Sequence, residues 1–284
     1  MSSPWPELQA DVIEPGQDAW AVGDERSVGF EFESRSAEQY AKGYRSLPSR
    51  AGSTCSPPSS LGAMSIVIVG AGPNLGLAVG RRFGREGFAV GLVSRTQAKL
   101  DDLAAQLESE GITAAGAAAD IRDSDALAGA IASLADRLGA VEVLEYSPLP
   151  APEFMKPILE TTVEDVRGPL EFSVLGAVAA ARAVLDPMRE AGRGTILYTT
   201  GGAAINPYPL RAGVGISFAG EVAYARMLHD ELADQGIHVA HTAIAGRIAR
   251  GADHEPTDVA DVLWSHHVDR ATFQTRIGFD DQRG

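Results

Sequence analysis

Three glycines follow the first strongly apolar run of the chain, at a spacing that suits a phosphate-binding turn. The run SIVIVG ends at Gly70, and Gly72 and Gly76 follow before a helical pattern begins. A glycine at the strand end permits a tight turn, the next lets the backbone approach a pyrophosphate, and the third lets helix and sheet pack closely. The N-terminus of the following helix adds free N–H groups and a positive dipole. The pattern favours the binding of a dinucleotide over a purely structural turn.

The residues after the second predicted strand bear on which dinucleotide would bind. The run FAVGLVS ends at Ser94, and Arg95 follows it. An acid at this place would accept hydrogen bonds from the adenosine ribose and repel a 2′-phosphate, whereas a hydroxyl and a guanidinium offer a donor and a permanent cation. The pair therefore favours NADP(H) over NAD(H) as the cofactor. The alternative is a solvated arginine beside a helix cap.

The glycine spacing GxGxxxG resembles the motif of the short-chain dehydrogenase/reductase superfamily, whose usual form is TGxxxGxG, and the resemblance covers nearly all of residues 65 to 280. It places Asn74 at the middle glycine, and Leu75 with Gly76 at the end of the motif. Asparagine is the non-glycine residue that best tolerates a left-handed backbone, so the turn can survive the exchange. Pro73 removes an N–H that would otherwise face phosphate. The resemblance implies a doubly wound fold that binds a nicotinamide dinucleotide.

Two further places match the cofactor contacts of the superfamily. Asp120 and Ile121, after the third predicted strand, correspond to the pair that contacts adenine in the family. Gly246 corresponds to the glycine of the family's PG pair after the sixth strand, with Ala245 in place of the proline. The full set of predicted cofactor contacts is Gly70, Gly72, Asn74, Leu75, Gly76, Ser94, Arg95, Asp120, Ile121 and Gly246.

The residues that usually perform the chemistry in this superfamily are replaced. There, a tyrosine and a lysine one helical turn apart exchange the proton, a serine steadies the substrate oxygen, and an asparagine holds a water. Counting back from DELADQGIHV and forward from ILYTTGG places the tyrosine position at Val214 and the lysine position at Phe218. The serine position falls on Gly201 and the asparagine position on Ser173. By this alignment, all four catalytic positions are changed.

Nearby hydroxyl groups are the candidate substitutes. Thr200 lies beside the serine position, Ser173 occupies the asparagine position, and Tyr146 stands where the family has its NNAG segment. These three residues are the predicted catalytic residues. An isolated tyrosine has a pKa of about 10, and neither Tyr208 nor Tyr224 has a lysine four residues on to depress it. Tyr224 is expected on the packed face of its helix.

Three functions stay open on these residues. The first is an NADP(H)-linked oxidoreductase with an atypical active site and a small carbonyl or alcohol as substrate. The second is a catalytically inactive protein that binds nucleotide and acts as a partner or sensor. The third is a non-redox enzyme that uses the cofactor pocket for its substrate. No metal site is expected, because His254, His266 and His267 lack the spaced companions of a zinc site and are expected at the surface.

All of these residues need a scaffold that brings strand ends together. From Met64 onward, short β-branched runs alternate with longer helical patterns, which is typical of a parallel sheet with crossover helices. Thr162 and Asp165 form a capping-box pattern at the start of a long helix that runs towards Met188. The sequence predicts a doubly wound α/β fold of the Rossmann type, in which a parallel seven-stranded sheet lies between two layers of helices in a three-layer αβα arrangement. The strand candidates are SIVIVG, FAVGLVS, TAAGAAA, VEVLEY, GTILYTT, IHVAHTAI and TFQTRIGF.

The overall charge limits the classes of partner. The 284-residue chain has a net charge of -14 and no basic cluster larger than Arg81 with Arg82, so its field would repel a phosphate backbone. We expect no nucleic-acid partner. Cys55 is the only cysteine, which excludes an internal disulfide and indicates a reducing, cytoplasmic compartment. No eighteen apolar residues run together, and we expect no membrane association.

Residues 1 to 63 differ in composition from the remainder of the chain. Prolines open and close this segment, and acids and bases alternate in it without a clear period. We interpret it as a mostly disordered extension, in which SVGFEFES is an alternative candidate for a short docked strand. Residues 64 to 284 are then the Rossmann-type domain. The family resemblance further implies a homodimer or homotetramer that assembles through the two long central helices.

Overall fold

The computed structural model describes residues 64–279, which form one sheet with helices on both of its faces. The predicted extension of residues 1 to 63 lies outside the described residues. The strands are β1 (Ser65–Val69), β2 (Ala89–Ser94), β3 (Ala114–Ala118), β4 (Val141–Tyr146), β5 (Gly194–Gly201), β6 (Ile237–Ile244) and β7 (Gln274–Ile277). The α-helices are α1 (Leu75–Gly84), α2 (Gln97–Ser109), α3 (Ser124–Leu138), α4 (Val163–Leu170), α5 (Gly176–Ala191), α6 (Ala212–Leu232) and α7 (Pro256–Asp269).

The seven strands are all parallel and follow the order β3-β2-β1-β4-β5-β6-β7. The predicted doubly wound, seven-stranded fold is therefore confirmed. The strand order reverses between β1 and β4. Ligands of such sheets bind beyond the carboxyl ends of the strands at this switch point, so the strand ends are the place to look for a site.

Two apolar layers fix the helices to the sheet. Buried side chains of α3, α5 and α6 pack on one face, and those of α1, α2 and α7 pack on the other. Most strand residues are apolar because both faces of the sheet are covered, and β1 is buried along its whole length. Helix α1, which follows the glycine turn, and helix α6, which carries Val214 and Phe218, thus lie on opposite faces of the sheet.

The long helix predicted after Thr162 is present, but it is interrupted. The capping box forms, because the Asp165 N–H donates to Thr162 Oγ1 and the Thr162 N–H donates to Asp165 Oδ2 at 2.9 Å. Residues Glu171–Leu175 then form a π-helix between α4 and α5. Val163–Ala191 as a whole is long and apolar enough to cross a membrane, but half of its most apolar part is buried, and core helices of soluble proteins meet the same criterion.

The expected surface position of three histidines is wrong for His266, which is buried, while His254 and His267 are half-buried. Helix α7 presents Val259, Leu263 and His266 to the sheet at the three- and four-residue spacing of one helical face. The sequence alone did not show which face of α7 would pack inwards. His266, the polar residue on that face, is therefore buried in the core.

Candidate functional site

The glycine turn after β1 is held against the two neighbouring strands. The amides of Gly70 and Ala71 donate to the carbonyl of Val93 in β2 at 2.9 and 3.0 Å. Gly70 has a φ of +94°, and a Cβ atom here would lie 2.5 Å from the Cα of Pro148, just after β4. Glycine meets both demands because it has no Cβ. The turn therefore sits at the switch point between β1 and β4.

The other two glycines of the turn have different roles. A Cβ atom on Gly72 would meet only the carbonyl oxygen of Gly70, at 4.0 Å, so the turn is open on this side. A Cβ atom on Gly76 would lie 2.9 Å from the Cα of Ala71, so this glycine lets α1 pack closely on the turn. Helix α1 begins at Leu75, and the first N–H groups of a helix have no acceptor within it. The turn thus offers space and donors for an anionic group.

Asn74 does not adopt the left-handed backbone that its residue type would tolerate. Its φ is -94°, and its side chain makes no capping hydrogen bond to α1. Together with Pro73 it lines a groove of about 420 Å³ between α1 and α7. Four arginines also line this groove, namely Arg81, Arg82, Arg85 and Arg250. Glu255 and Asp261 line it as well, and Arg82 pairs with Asp261 at 2.8 Å, so Asn74 borders a groove of mixed charge next to the turn.

A separate cleft of about 200 Å³ collects the other polar residues at the strand ends. Its lining includes five of the predicted cofactor contacts, namely Gly70, Ser94, Arg95, Asp120 and Ile121. These residues follow β1, β2 and β3, which are neighbours in the sheet. The parallel topology thus brings together residues that lie up to 51 positions apart in the sequence, from Gly70 to Ile121. Pro148 and Leu149, after β4, line the same cleft.

A second guanidinium in this cleft was not identified from the sequence. Arg122 donates to Asp120 through Nη2 to Oδ2 at 2.9 Å and through Nε to Oδ1 at 3.3 Å. This hydrogen bonding, chiefly from the Arg122 side chain, lowers the pKa of Asp120 below its usual value. The signal in the sequence is a cation two positions after the acid of the D-I pair. Arg95 and Arg122 together give the cleft two permanent positive charges, beside the acidic side chains of Asp120 and Glu153.

Gly246 lies on another segment and does not line the cleft. Its φ is +125°, and a Cβ atom here would lie 3.0 Å from both Asp253 Cβ and His254 Nε2. His254 Nε2 in turn donates to the carbonyl of Ala245 at 2.8 Å. The loop after β6 therefore folds back on the strand end. This close approach is a structural reason for glycine, separate from the predicted cofactor contact.

The positions assigned to the tyrosine and lysine are occupied by packed apolar side chains. Val214 and Phe218 on α6 are both buried and belong to the apolar layer on their face of the sheet. A Cβ atom on Gly201 would lie 3.3 Å from Cε2 of Phe218, so the aromatic ring borders the end of β5. No tyrosine in the sequence is followed by a lysine four residues later.

Tyr146 is fully buried at the end of β4. Its hydroxyl donates to the carbonyl of Phe172 at 2.5 Å, at the start of the π-helix. Burial raises the pKa of Tyr146 well above its ordinary value, and the negative charge of Glu221 adds to this effect. The phenol is therefore neutral at physiological pH and satisfied within the core.

Ser173 lies in the π-helix and is also fully buried. Its hydroxyl donates to Oε2 of Glu221 on α6, while Oε1 of Glu221 has no hydrogen-bond partner among residues 64–279. Burial raises the pKa of Glu221 to about 8, so the carboxyl is mostly protonated at neutral pH. Sequence reasoning missed Glu221. The sequence does indicate where Glu221 lies, because it follows Phe218 by three residues and Val214 by seven, which places all three on one face of the helix.

Thr200 is buried near the carboxyl end of β5 and contacts a histidine. Its Oγ1 lies 2.8 Å from Nε2 of His241 in β6. The preceding residue, Thr199, donates at 3.1 Å to Glu145 in β4, and Ser147 donates to the same carboxyl at 2.8 Å. Burial raises the pKa of Glu145 to about 7. A second buried carboxyl thus lies beneath the strand ends.

The three predicted catalytic hydroxyls are therefore engaged in three different pairs. Tyr146 and Ser173 are linked through the π-helix, since Tyr146 binds the carbonyl of Phe172 and Ser173 follows in sequence. Thr200 belongs to the neighbouring strand and binds His241 instead. Each hydroxyl has a protein partner. Their catalytic roles stay predictions.

Known proteins resemble this chain in both sequence and fold. The model of the short chain dehydrogenase family matches residues 64–249. Dehydrogenase/reductase SDR family member 4 of Oryctolagus cuniculus is 25% identical over 173 residues, which cover 61% of this chain and 66% of the relative. The aligned part thus spans just under two thirds of that relative's length.

Two solved structures extend the comparison. A short-chain dehydrogenase from Rhodopseudomonas palustris is 27% identical with a TM-score of 0.68, covering 76% of this chain and 99% of its own. L-sorbose reductase from Gluconobacter frateurii, complexed with NADPH and L-sorbose, shares the fold at 20% identity, with a TM-score of 0.68 and coverage of 77% and 96%.

The parallel sheet, the glycine turn at its switch point and the family match lead to one conclusion. The chain belongs to the short-chain dehydrogenase family, a family of oxidoreductases with a Rossmann-like fold.

Proposed function

We propose that this protein binds NADP(H) in the cleft at the ends of β1, β2 and β3, and oxidises or reduces a small alcohol or carbonyl compound. The observation that carries the proposal is the cleft itself, where Asp120 and two guanidinium groups lie beside an open glycine turn. The NADPH in the related L-sorbose reductase supports the choice of cofactor. The proposed active site is atypical, because Val214 and Phe218 stand where the tyrosine and lysine are expected.

The residues of the cleft and of the glycine turn would each contact a different part of such a dinucleotide. The turn from Gly70 to Gly76 would hold the pyrophosphate, because a phosphate can occupy the open side of Gly72 and accept from the N-terminus of α1. Asp120 would contact the adenosine, and Arg95 would pair with a 2′-phosphate. Pro73 supplies no N–H, so one donor is missing from the turn. Bound NADPH would supply the hydride.

The chain's own hydroxyls would then act on the substrate oxygen. Thr200 is the nearest of the three to the serine position at Gly201, and we assign it the contact with that oxygen. Ser173 and Tyr146 would act less directly, because both are fully buried in hydrogen bonds to Glu221 and to the backbone of Phe172. In this scheme they position the π-helix against α6.

Thermal unfolding of the full chain with each of NADPH, NADP, NADH and NAD tests the proposal. A nucleotide present at a hundred times its Kd stabilises the folded state by roughly 2.7 kcal/mol. We expect a rise in Tm with NADPH and NADP that exceeds the rise with the other two. The absence of a shift with all four nucleotides would exclude a dinucleotide site.

Replacing Arg95 by glutamine is expected to weaken NADPH binding by roughly tenfold, since one charge-assisted hydrogen bond contributes about 1.5 kcal/mol or more. NADH has no 2′-phosphate, so its Kd should change little. Calorimetric titration of both nucleotides measures the two constants. Lys99→Gln, an exposed cation on the adjacent helix α2 that does not line the cleft, is the matched control. Equal losses for NADPH and NADH would contradict the role of Arg95.

A catalytically inactive nucleotide-binding protein is the second candidate. It is favoured by the apolar packing of Val214 and Phe218 and by the absence of a side chain at Gly201. Both candidates predict nucleotide binding, so turnover separates them. Saturable oxidation of NADPH by the purified protein with any carbonyl compound would exclude the inactive form, whereas binding without turnover across a broad panel would support it.

We also propose that the protein is a homodimer or homotetramer. Helix α6 carries Ile216 and Met227, which are 46% and 63% exposed and lie eleven positions apart, or about three turns, on one face. Leu175 in the adjoining π-helix is 54% exposed. These apolar side chains lie on the two central helical segments through which the family resemblance implies assembly.

The charge of -14 and the single cysteine support a cytoplasmic protein without a nucleic-acid or membrane partner.

The double substitution Ile216→Glu and Met227→Glu is expected to convert the assembly to monomers, because it would place four like charges in each two-fold contact. Light scattering coupled to size-exclusion chromatography measures the mass. Val268→Glu, which alters an exposed apolar residue on α7, should leave the assembly intact. An unchanged mass for the double variant would refute this interface.

A further inference from the structure

A hydrogen-bonded chain runs from β7, the last strand of the sheet, to the carboxyl end of β5. Nε2 of the Gln274 side chain lies 3.1 Å from Nδ1 of His241, and Nε2 of His241 lies 2.8 Å from Oγ1 of Thr200. His241 is fully buried and Thr200 is nearly so. The three side chains connect three adjacent strands, and the chain ends at Thr200, one residue before the carboxyl end of β5.

The direction of hydrogen bonding along this chain is set by Arg276. Its Nε and Nη2 groups both donate to Oε1 of Gln274, each at 3.4 Å. A guanidinium can only donate, so the amide oxygen of Gln274 faces Arg276 and the amide nitrogen faces His241. The Nδ1 atom of His241 therefore accepts a hydrogen bond from Gln274.

The position of the imidazole proton follows from this contact. Burial lowers the pKa of His241 to about 4, so the ring is neutral at physiological pH and carries one proton. With Nδ1 as acceptor, that proton is on Nε2, which donates to Oγ1 of Thr200. The hydroxyl proton of Thr200 then has no acceptor among residues 64–279. A buried donor without a partner is costly unless a ligand satisfies it.

We propose that Gln274 and His241 position the Thr200 hydroxyl as a hydrogen-bond donor to the oxygen of a carbonyl or alcohol ligand at the end of β5. This inference rests on the proposed function and adds two positioning residues to it. Gly201 follows Thr200 and leaves the space where a side chain would approach Phe218. Because hydrogen bonds in series polarise one another, donation from His241 makes Thr200 a stronger donor.

The same polarity argues against one alternative use of these residues. A threonine nucleophile needs a histidine nitrogen that accepts its proton. Nε2 of His241 carries a proton already, so it cannot act as the base towards Thr200. The pair is therefore suited to stabilising an oxygen of a bound molecule and unsuited to the covalent chemistry of a hydrolase.

The tautomer of His241 tests the assigned polarity directly. In the full-length protein labelled with 15N at histidine, two-bond 1H–15N correlations distinguish the two neutral tautomers, and His241→Asn identifies the signals. We expect the Nε2–H tautomer in the unsubstituted protein. Gln274→Glu places a carboxylate, which can only accept, opposite Nδ1, and we expect the Nδ1–H tautomer there. Gln97→Glu, an exposed glutamine on α2, should leave the tautomer unchanged.

A third variant separates the role of Arg276 from that of Gln274. Arg276→Ala removes an exposed side chain and frees the amide of Gln274 to rotate, so we expect a mixture of tautomers. An Nδ1–H tautomer in the unsubstituted protein would overturn the polarity. So would an unchanged tautomer in Gln274→Glu.

Acetamide, an unreactive molecule with a carbonyl oxygen, is the probe for the Thr200 donor. Titrated with and without NADPH, it should shift the Nε2 resonance of His241 in the unsubstituted protein and in Thr200→Ser. We expect loss of that shift in Thr200→Val, which keeps the side-chain shape, and thermal unfolding checks that this variant is folded. A shift that persists in Thr200→Val, or none in the unsubstituted protein, would overturn the ligand role.

The two failures can be told apart. Absence of nucleotide binding would contradict the proposed function alone, because the tautomers and the acetamide titration are also read without NADPH. A wrong tautomer would contradict this inference even in a protein that binds NADPH tightly.

Discussion

Replacing Glu221 by glutamine is expected to stabilise the protein at pH 9 by roughly 4 kcal/mol while changing its stability near pH 4.5 very little. The carboxyl of Glu221 is buried between the π-helix and α6, with one oxygen bound to Ser173 and the other without a partner among residues 64–279. Glutamine has nearly the same shape and stays neutral at every pH. It therefore mimics the protonated acid.

The sign of this effect follows from the raised pKa. Burial is the main cause that raises the pKa of Glu221 from 4.5 to about 8, the Ser173 hydrogen bond opposes it, and the charge of Glu145 adds to it. The folded protein thus holds a proton that the unfolded chain releases. The stabilisation is present below pH 4.5 and is lost as the pH rises through about 8.

Urea unfolding between pH 4.5 and 9 measures the free energy of unfolding for both proteins. Glu231→Gln, an exposed acid on the same helix α6, is the matched control and should leave the pH dependence unchanged. Glu145→Gln should give a smaller gain that is complete near pH 7, because burial raises the pKa of Glu145 only to about 7. Parallel stability curves for the Glu221→Gln and unsubstituted proteins would show that the carboxyl is ionised in the fold.

Acidification from pH 6.5 to 4 is expected to destabilise the protein, with about 3 kcal/mol from the fully buried His241 alone. Burial is the main cause that lowers the pKa of His238, His241 and His267 from 6.5 to about 4. In this window the unfolded chain binds protons that the folded protein does not. The contribution of these three histidines to stability therefore rises with pH up to about 6.5 and is lost as the pH falls towards 4, and the raised pKa values of Glu145 and Glu221 offset part of this loss.

His238→Phe offers a sharp test of this acid effect. The ring of His238 packs edge-on against His229, with centroids 5.8 Å apart, and its Nε2 atom has no partner among residues 64–279. Phenylalanine can fill the same space without an unpaired polar atom, so stability at pH 7 should be kept. The slope of the unfolding free energy against pH measures how many more protons the unfolded state binds than the folded state. Between pH 4 and 6.5 this number should decrease by up to one. An unchanged slope would mean that His238 is protonated in the folded state.

The order of helices and strands was predictable from the sequence. Strands β4 and β6 coincide with the runs VEVLEY and IHVAHTAI, because strands buried on both faces read as short apolar runs between loops. The capping box at Thr162 was equally clear, since it depends on two residues three positions apart. Such signals are local. The π-helix at Glu171–Leu175 left no comparable local signal, and only the structure shows it.

The candidate site was predictable in part. The residues that were not predicted depend on contacts that only the tertiary structure makes. Glycine spacing and the residues after β2 and β3 indicated the cleft, because parallel strand ends meet at one edge of the sheet. Arg122 was missed, since its pairing with Asp120 depends on side-chain direction. The buried state of Glu221 was missed as well, since it depends on how α6 meets the π-helix.

The sequence by itself determined the fold, the place of the glycine turn, and the absence of a tyrosine followed by a lysine four residues on. Those properties depend on local pattern and on residue identity. Only the tertiary structure decided that Thr200 pairs with His241, that Ser173 pairs with Glu221, and that the histidines of β6 and α7 are packed within the fold. Contacts between residues tens of positions apart depend on which helix faces pack against the sheet. A local sequence pattern does not determine which faces these are.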